Sequence, residues 1–317
     1  MHSRRDFIKK SVMIYAACSL PLPLSANGQT LHTELKTREP RRALVLCYSQ
    51  TGFTKRYGHV IACVFKNKGL DVELVDMRRF EQKHLPDYDL ILLGSPVFYY
   101  DIPSNVSDWL STAPKITGIA VATFVSFGGP EGNQRNSLCH ALSLLVEKGG
   151  VPVGMEAFRS IPAYPTPAWD SANQRSGEHL PDLTTYAKVR HFAGKVLENV
   201  QQNQLIAYSS ELKLREMARI LPLVWLNKKV LNKHTVDAEK CIRCLTCVKK
   251  CPVAAIRPDK QLVYREKCLA CFGCLNNCPA NAVVMEYAGE KLYGFPEYLR
   301  RKKISILEPP ELQTCRL

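Results

Sequence analysis

Residues 43–54 read ALVLCYSQTGFT, and the fold follows from how this stretch is parsed. Residues 43–49 form a near-continuous apolar run with β-branched and aromatic content, which reads as a strand buried on both faces. Directly after it, Ser49, Gln50, Thr51, Gly52, Phe53 and Thr54 set hydroxyls around one glycine and open onto a helical pattern over about 54–68. Free N–H groups at a helix N-terminus, joined by Ser and Thr donors, make a ready phosphate site. Gly52 lets the backbone come close to such a group. The plainer reading of the same residues is a turn in which Thr51 or Thr54 merely caps the helix.

Outward from this stretch the pattern repeats. DVELVDM (71–77), DLILLGS (89–95), IAVATFVSF (119–127) and VPVGMEAF (151–158) are further apolar or alternating runs, and helical patterns fill 103–111, 133–148 and 182–203. Strands alternating with helices predict an α/β fold with a parallel sheet covered on both faces. Over about residues 41–203 the chain resembles the flavodoxins, which implies a flavodoxin-like five-stranded parallel sheet of order 2-1-3-4-5 with its ligand crevice at the carboxyl ends of the strands. On that resemblance Ser49, Gln50, Thr51, Gly52, Phe53 and Thr54 hold the phosphate of FMN, with Arg56 or Lys55 nearby. Pro96, Val97, Phe98 and Tyr99 after the third strand, and Ser126, Phe127, Gly128 and Gly129 (running on to Pro130, Glu131 and Gly132) after the fourth, flank the flavin ring. Phe98 and Tyr99 are the stacking candidates, the alternative being aromatics that pack under the loop and glycines that only turn it.

The second half carries a different signal. CIRCLTCVKKCP (241–252) returns as CLACFGCLNNCP (268–279), each copy reading C-x2-C-x2-C-x3-C-P. Thiolates at this pitch wrap an iron-sulfur cube. Zinc would call for paired Cys, or Cys with His, at finger spacing, and neither run has an accompanying His. Residues 235–288 resemble the two-cluster bacterial ferredoxins, a small α+β domain. The resemblance implies that Cys241, Cys244, Cys247 and Cys278 hold one [4Fe-4S] cluster, and Cys268, Cys271, Cys274 and Cys251 the second. Of thirteen Cys, five remain. Cys47, Cys63 and Cys139 read as small buried apolar residues, and these five are no argument for a disulfide scaffold; Cys18 and Cys315 stand near the two ends.

The N-terminus, MHSRRDFIKKSVMIYAACSLPLPLSANG, combines a basic start, a short apolar run and a small-residue exit near 25–27, which is an export signal. Residues 3–9, with Arg4 and Arg5, resemble the twin-arginine (Tat) consensus. This implies export of the folded, cofactor-loaded protein to the periplasm or beyond the cytoplasmic membrane. Cys18 either leaves with the signal or takes a lipid anchor.

Five segments result: the signal (1–27), the flavodoxin-like domain (41–203), a linker with an amphipathic helix kinked at Pro222 (204–234), the ferredoxin domain (235–288) and a tail (289–317). The linker face packs at the domain joint or meets a membrane surface. Loop 161–181, rich in Pro and polar residues, is a lid or a filler; neither Trp169 nor His179 in it is assigned a catalytic role.

A formal charge of +14 and a pI near 9.2 favour an acidic redox partner protein or an anionic membrane surface. Without a recognition helix or basic-aromatic array, nucleic acid is excluded. The whole resembles the flavodoxin-ferredoxin fusions known as the EFR1 family ferrodoxins, which implies an electron-transfer protein passing electrons between FMN and two [4Fe-4S] clusters. A flavin-dependent reductase of a quinone or other small substrate, and a cluster protein without FMN, are the competing readings. No G-x-G-x-x-G follows a strand, so a dedicated NAD domain is not expected.

Overall fold

The computed structural model describes residues 34–129, 134–165, 177–208 and 223–317. The signal with Arg4, Arg5 and Cys18, the loop end Pro130–Gly132, Trp169 and linker residues 209–222 lie outside the described residues.

Five strands, β1 (Arg42–Cys47), β2 (Asp71–Asp76), β3 (Leu90–Pro96), β4 (Ala120–Phe127) and β5 (Val151–Arg159), form one sheet of order β2-β1-β3-β4-β5. Every pairing in it is parallel. Each strand lies within a residue or so of its predicted run, because runs buried on both faces leave an unbroken apolar signature. Alternate residues feed two cores. Ala43, Val45, Leu90, Leu92 and Ala122 pack under helices α1 (Phe53–Asn67) and α4 (Leu183–Gln202). Leu44, Leu46, Ile91, Leu93 and Val121 pack on the opposite face against α2 (Ser104–Ser111) and α3 (Gln134–Glu147). The sheet is therefore flavodoxin-like, and its switch point between β1 and β3 places the loops after β1, β3 and β4 at one edge.

Helix α5 (Leu223–Val230) leads into a second unit. Strands β6 (Leu231–Val236), β9 (Val283–Tyr287) and β10 (Glu290–Lys291) form an antiparallel sheet, and β7 (Ile256–Arg257) pairs with β8 (Leu262–Val263). The expected limits 235 and 288 thus fall inside this sheet. Residues 231–234 are basic and locally unremarkable, and only pairing with β9 makes them strand. The two Cys runs each lead into a short helix, α6 (Thr246–Lys250) and α7 (Gly273–Asn276).

The tail is not free. Helix α8 (Phe295–Lys302) buries Phe295 and Tyr298 in the core beside α1 and α4, with Phe295 5.7 Å edge-on from Phe53. Beyond it the Tyr186 hydroxyl donates to the Leu307 carbonyl at 2.6 Å, and Arg190 pairs with Glu311 of α9 (Glu311–Thr314) at 2.5 Å. Cys63 of α1 is disulfide-bonded to Cys315, across 252 residues of sequence. This corrects the reading of Cys63 as an inert apolar residue: its burial is that of a crosslink. Cys47 and Cys139 are buried and are not in a disulfide. Among the described residues no helix is long and apolar enough to cross a membrane.

Candidate functional site

A cavity of about 810 Å³ opens where the loops after β1, β3 and β4 converge, within the ~300–1,000 Å³ typical of cofactor sites. Its floor is Ser49, Gln50, Thr51, Phe53 and Thr54; one side is Pro96, Val97, Phe98 and Tyr99, and another is Ser126, Phe127, Gly128 and Gly129. Gly52 sits between them at the head of α1. All fourteen flavodoxin-like candidates are thereby brought together.

The loop after β1 is shaped as the phosphate reading requires. Gly52 takes φ +96°, in the left-handed region, and α1 begins with no side-chain cap. Thr54 caps nothing: it is 1% exposed, and its hydroxyl lies 2.8 Å from that of Ser126, tying this loop to the one after β4. The Gly52 N–H donates to Ser49 Oγ at 3.2 Å. Arg56 lies over the Gly52 turn, Nη1 2.6 Å from where a Cβ would be, and binds Glu308 of the tail with Nε 2.6 Å from Oε2. A Cβ on Gly128 would lie 2.4 Å from Pro162 Cα, so that loop closes backbone to backbone.

The loop after β3 is strained. Phe98 and Asp101 exchange backbone bonds of 2.7 and 3.0 Å around Tyr99 (φ +50°) and Tyr100 (φ +67°), positions where hairpin turns usually place Asn and Gly. The surroundings hold it: Asn136 donates to the Tyr100 carbonyl at 3.0 Å, and the Tyr99 hydroxyl donates to the Ala270 carbonyl at 2.6 Å. Burial pushes the Tyr99 phenol well above its usual pKa. Phe98 packs edge-on at 6.5 Å from Tyr48, in the core beneath α2 and α3.

The opposite wall comes from residues no local motif announced. Ala270, Cys271, Asn276, Asn227 and Tyr287 of the second unit, with Tyr164 after β5, complete the cavity. Tyr164 and Tyr287 both donate to Asn227 Oδ1, at 2.6 and 3.0 Å. Gln50 reaches across, its amide 3.2 Å from the Lys250 carbonyl and 3.8 Å from Cys271 Sγ. Its Oε1 is buried and has no hydrogen-bond partner among the described residues. A buried acceptor without a donor is costly unless a ligand supplies one. Phosphate loop, unpaired acceptor and cavity volume together fit FMN.

The Cys runs fold as two copies of one conformation. Arg243 and Leu245 in the first, Ala270 and Phe272 in the second, all take φ of 50–57°. Ala254 and Asn281, three residues after the fourth Cys of each run, take 50° and 49°. Non-glycine residues seldom adopt this region. The result points backbone N–H groups at sulfur: Ala255 to Cys251 and Ala282 to Cys278, each 3.2 Å, and Ala270 to Cys268 at 3.3 Å.

Cys241, Cys244, Cys247 and Cys278 line one small cavity. The other four feel one another: burial first, then Cys268 and Cys251, push Cys271 up to about 12, and burial with Cys271, Cys268 and Cys251 pushes Cys274 well above its usual value. Four crowded thiols disfavour thiolate only while no metal neutralises them, so both quartets suit a cluster. His234, forty residues from Cys274, brings Nε2 within 3.3 Å of its sulfur, and burial depresses the imidazole to about 4. No spacing rule links the two.

Residues 233–279 match the family model of the 4Fe-4S dicluster domain. Among solved structures, a flavodoxin from the domain Archaea is 18% identical, covering 50% of this chain and 99% of its own, with a TM-score of 0.37. Flavodoxin 2 from Bacillus cereus is 20% identical over 50% of this chain and 99% of its own, with a TM-score of 0.40. No curated protein matches the chain. The chain therefore joins a flavodoxin-like sheet to a 4Fe-4S dicluster domain.

Proposed function

We propose that this protein is an electron-transfer protein that holds FMN in the cavity at the β1, β3 and β4 loops and two [4Fe-4S] clusters in the second unit, and that electrons pass between them. Bound FMN exchanges electrons singly or in pairs, whereas each cluster exchanges one at a time. The observation that carries the reading is the shared wall: Cys271, a ligand candidate of the second quartet, lines the same cavity as Ser49, Thr51 and Thr54.

The chain's own residues supply binding and position. Ser49, Thr51, Thr54 and the open first turn of α1 would take the phosphate, and Gln50 Oε1 would accept a hydrogen bond from the ligand. Tyr99, bonded to Ala270, holds the flavin-side loop against the Cys run. Asn276 donates to the Ala163 carbonyl at 2.8 Å and so fixes the loop after β5 to the same run. Arg78 donates to the Lys250 carbonyl at 3.2 Å. These bonds keep the two units in one arrangement, which electron transfer between fixed centres requires. The hydroxyls of Tyr99, Tyr164 and Tyr287 all donate within the protein. Export through the twin-arginine route belongs to this proposal, because that route carries proteins folded around their cofactors.

The test is an anaerobic purification with an optical spectrum and counts of iron, sulfide and flavin. Eight iron atoms and one FMN per chain are expected from two four-iron clusters and one flavin site. Iron without flavin would leave the cluster-only reading standing.

A further inference from the structure

The two quartets are placed unequally. Cys271 lines the cavity and Cys274 is buried. Cys244 of the other quartet is exposed. Beside it Ile242 is 66% and Leu245 49% exposed, and both border the small cavity shared by Cys241, Cys244, Cys247 and Cys278. Exposed large apolar side chains gathered on a redox site mark a contact surface.

The charge left unpaired around them is positive on balance. Arg243, between Ile242 and Cys244, and Lys249 on α6 are exposed, and neither is paired with a carboxylate among the described residues. The acidic neighbours are mostly engaged. Asp237 is taken by Lys240 at 3.0 Å and Asp259 by Arg257 at 3.1 Å, leaving Glu239. An apolar centre with a charged rim is the usual anatomy of a transient interface.

We propose that the face formed by Ile242, Arg243, Cys244, Leu245 and Lys249 docks an acidic one-electron carrier protein. The inference rests on the cluster assignment above. It adds a direction: the quartet of Cys271 faces inward to the flavin cavity, and the quartet of Cys244 faces the partner. A cluster held by Cys241, Cys244, Cys247 and Cys278 would supply one electron at a time, and docking on this face would set the partner's centre beside it, with no bond made or broken. The basic rim steers an acidic carrier into contact, and the apolar pair excludes water where it lands.

The experiment uses the full, cluster-loaded chain, reduced with dithionite and mixed by stopped flow with an acidic cytochrome of the b5 type or with a basic cytochrome c. Neutral benzoquinone serves as a small oxidant. The acidic cytochrome is expected to react faster at low salt, with a rate that falls as salt is added. Arg243→Glu with Lys249→Glu lowers that rate at least tenfold and removes the preference, whereas benzoquinone reoxidises wild type and variant alike. Ile242→Ser lowers the rate with both cytochromes. Lys249→Glu alone, which leaves every Cys and the left-handed Arg243 in place, gives the same sign of change if the double variant loads iron poorly.

A preference for the basic cytochrome, or rates insensitive to salt and to charge reversal, overturns the proposal. So does binding to phosphatidylglycerol vesicles that the double variant loses while its cytochrome rates stay unchanged; that result assigns the face to a membrane. Wild-type protein without iron fails the cluster assignment itself, and the iron count taken beforehand separates that failure from failure of the docking face.

Discussion

Replacing Thr51 and Thr54 together by Ala tests the flavin site at its most specific point. Thr54 is 1% exposed, and its hydroxyl is 2.8 Å from Ser126 Oγ. Its loss severs the tie between the loops after β1 and β4, worth about 0.5–1.5 kcal/mol as a neutral bond. It also removes a donor to the phosphate, as does loss of Thr51, each charge-assisted bond contributing about 1.5–3 kcal/mol. Because the first-turn N–H groups of α1 remain, the lower end of that range is expected, roughly 3 kcal/mol for the two donors together, or at least a hundredfold in FMN affinity. The assay is titration of flavin-free protein with FMN, followed by quenching of flavin fluorescence. Riboflavin, lacking the phosphate, should lose only the smaller part that comes from the loop tie. Ser126→Ala, which cuts the tie and spares both donors, should cost about tenfold or less with either ligand. Iron content should not change, since all eight cluster Cys lie in the other unit. Undiminished FMN affinity in the double variant, or an equal loss for riboflavin, refutes the phosphate-loop assignment.

Four further outcomes follow from particular contacts. Cys251→Ala should remove the cluster of Cys268, Cys271 and Cys274 from the electron paramagnetic resonance spectrum; loss of only the Cys241, Cys244 and Cys247 cluster would mean ligands are not crossed between runs. Cys63→Ser should lower stability by about 2–4 kcal/mol in guanidinium titrations under oxidising conditions, and dithiothreitol should bring wild type to the same midpoint; a wild type unmoved by thiol would contradict the crosslink. Gly128→Ala puts a Cβ 2.4 Å from the Pro162 backbone, an overpacking strain of about 1–3 kcal/mol, and should weaken FMN binding at least fivefold with iron unchanged, measured by the same quenching titration. Arg4→Lys with Arg5→Lys should retain the loaded protein in the cytoplasm, and an unchanged periplasmic yield in cell fractions would disprove twin-arginine export.

What the sequence by itself determined about this protein is what local periodicity and spacing can encode. Strands buried on both faces write unbroken apolar runs, so all five core strands and their four helices lie within a residue or so of the expected limits. Two Cys runs of one spacing adopt one repeated conformation, down to the left-handed residues Arg243 and Ala270. The three loops flanking the cavity were legible because a parallel sheet with this strand order brings the ends of β1, β3 and β4 to one edge.

Only the tertiary structure decided the rest, because contacts between residues far apart in sequence leave no periodic trace. Cys63 finds Cys315 across 252 residues. Residues 231–234 become strand by pairing with β9, not by pattern. Tyr99, read as a stacking aromatic, is turned by a strained hairpin so that its hydroxyl bonds Ala270. Tyr164, Asn227 and Tyr287 come from three separate segments and meet through one amide. The meeting of the phosphate loop with Cys271 in a single cavity, on which the functional reading rests, depends on how the two units dock. That docking is set by part-buried bonds such as Gln50 to the Lys250 carbonyl and by the packing of Phe295 against Phe53, none of which either segment's own pattern contains.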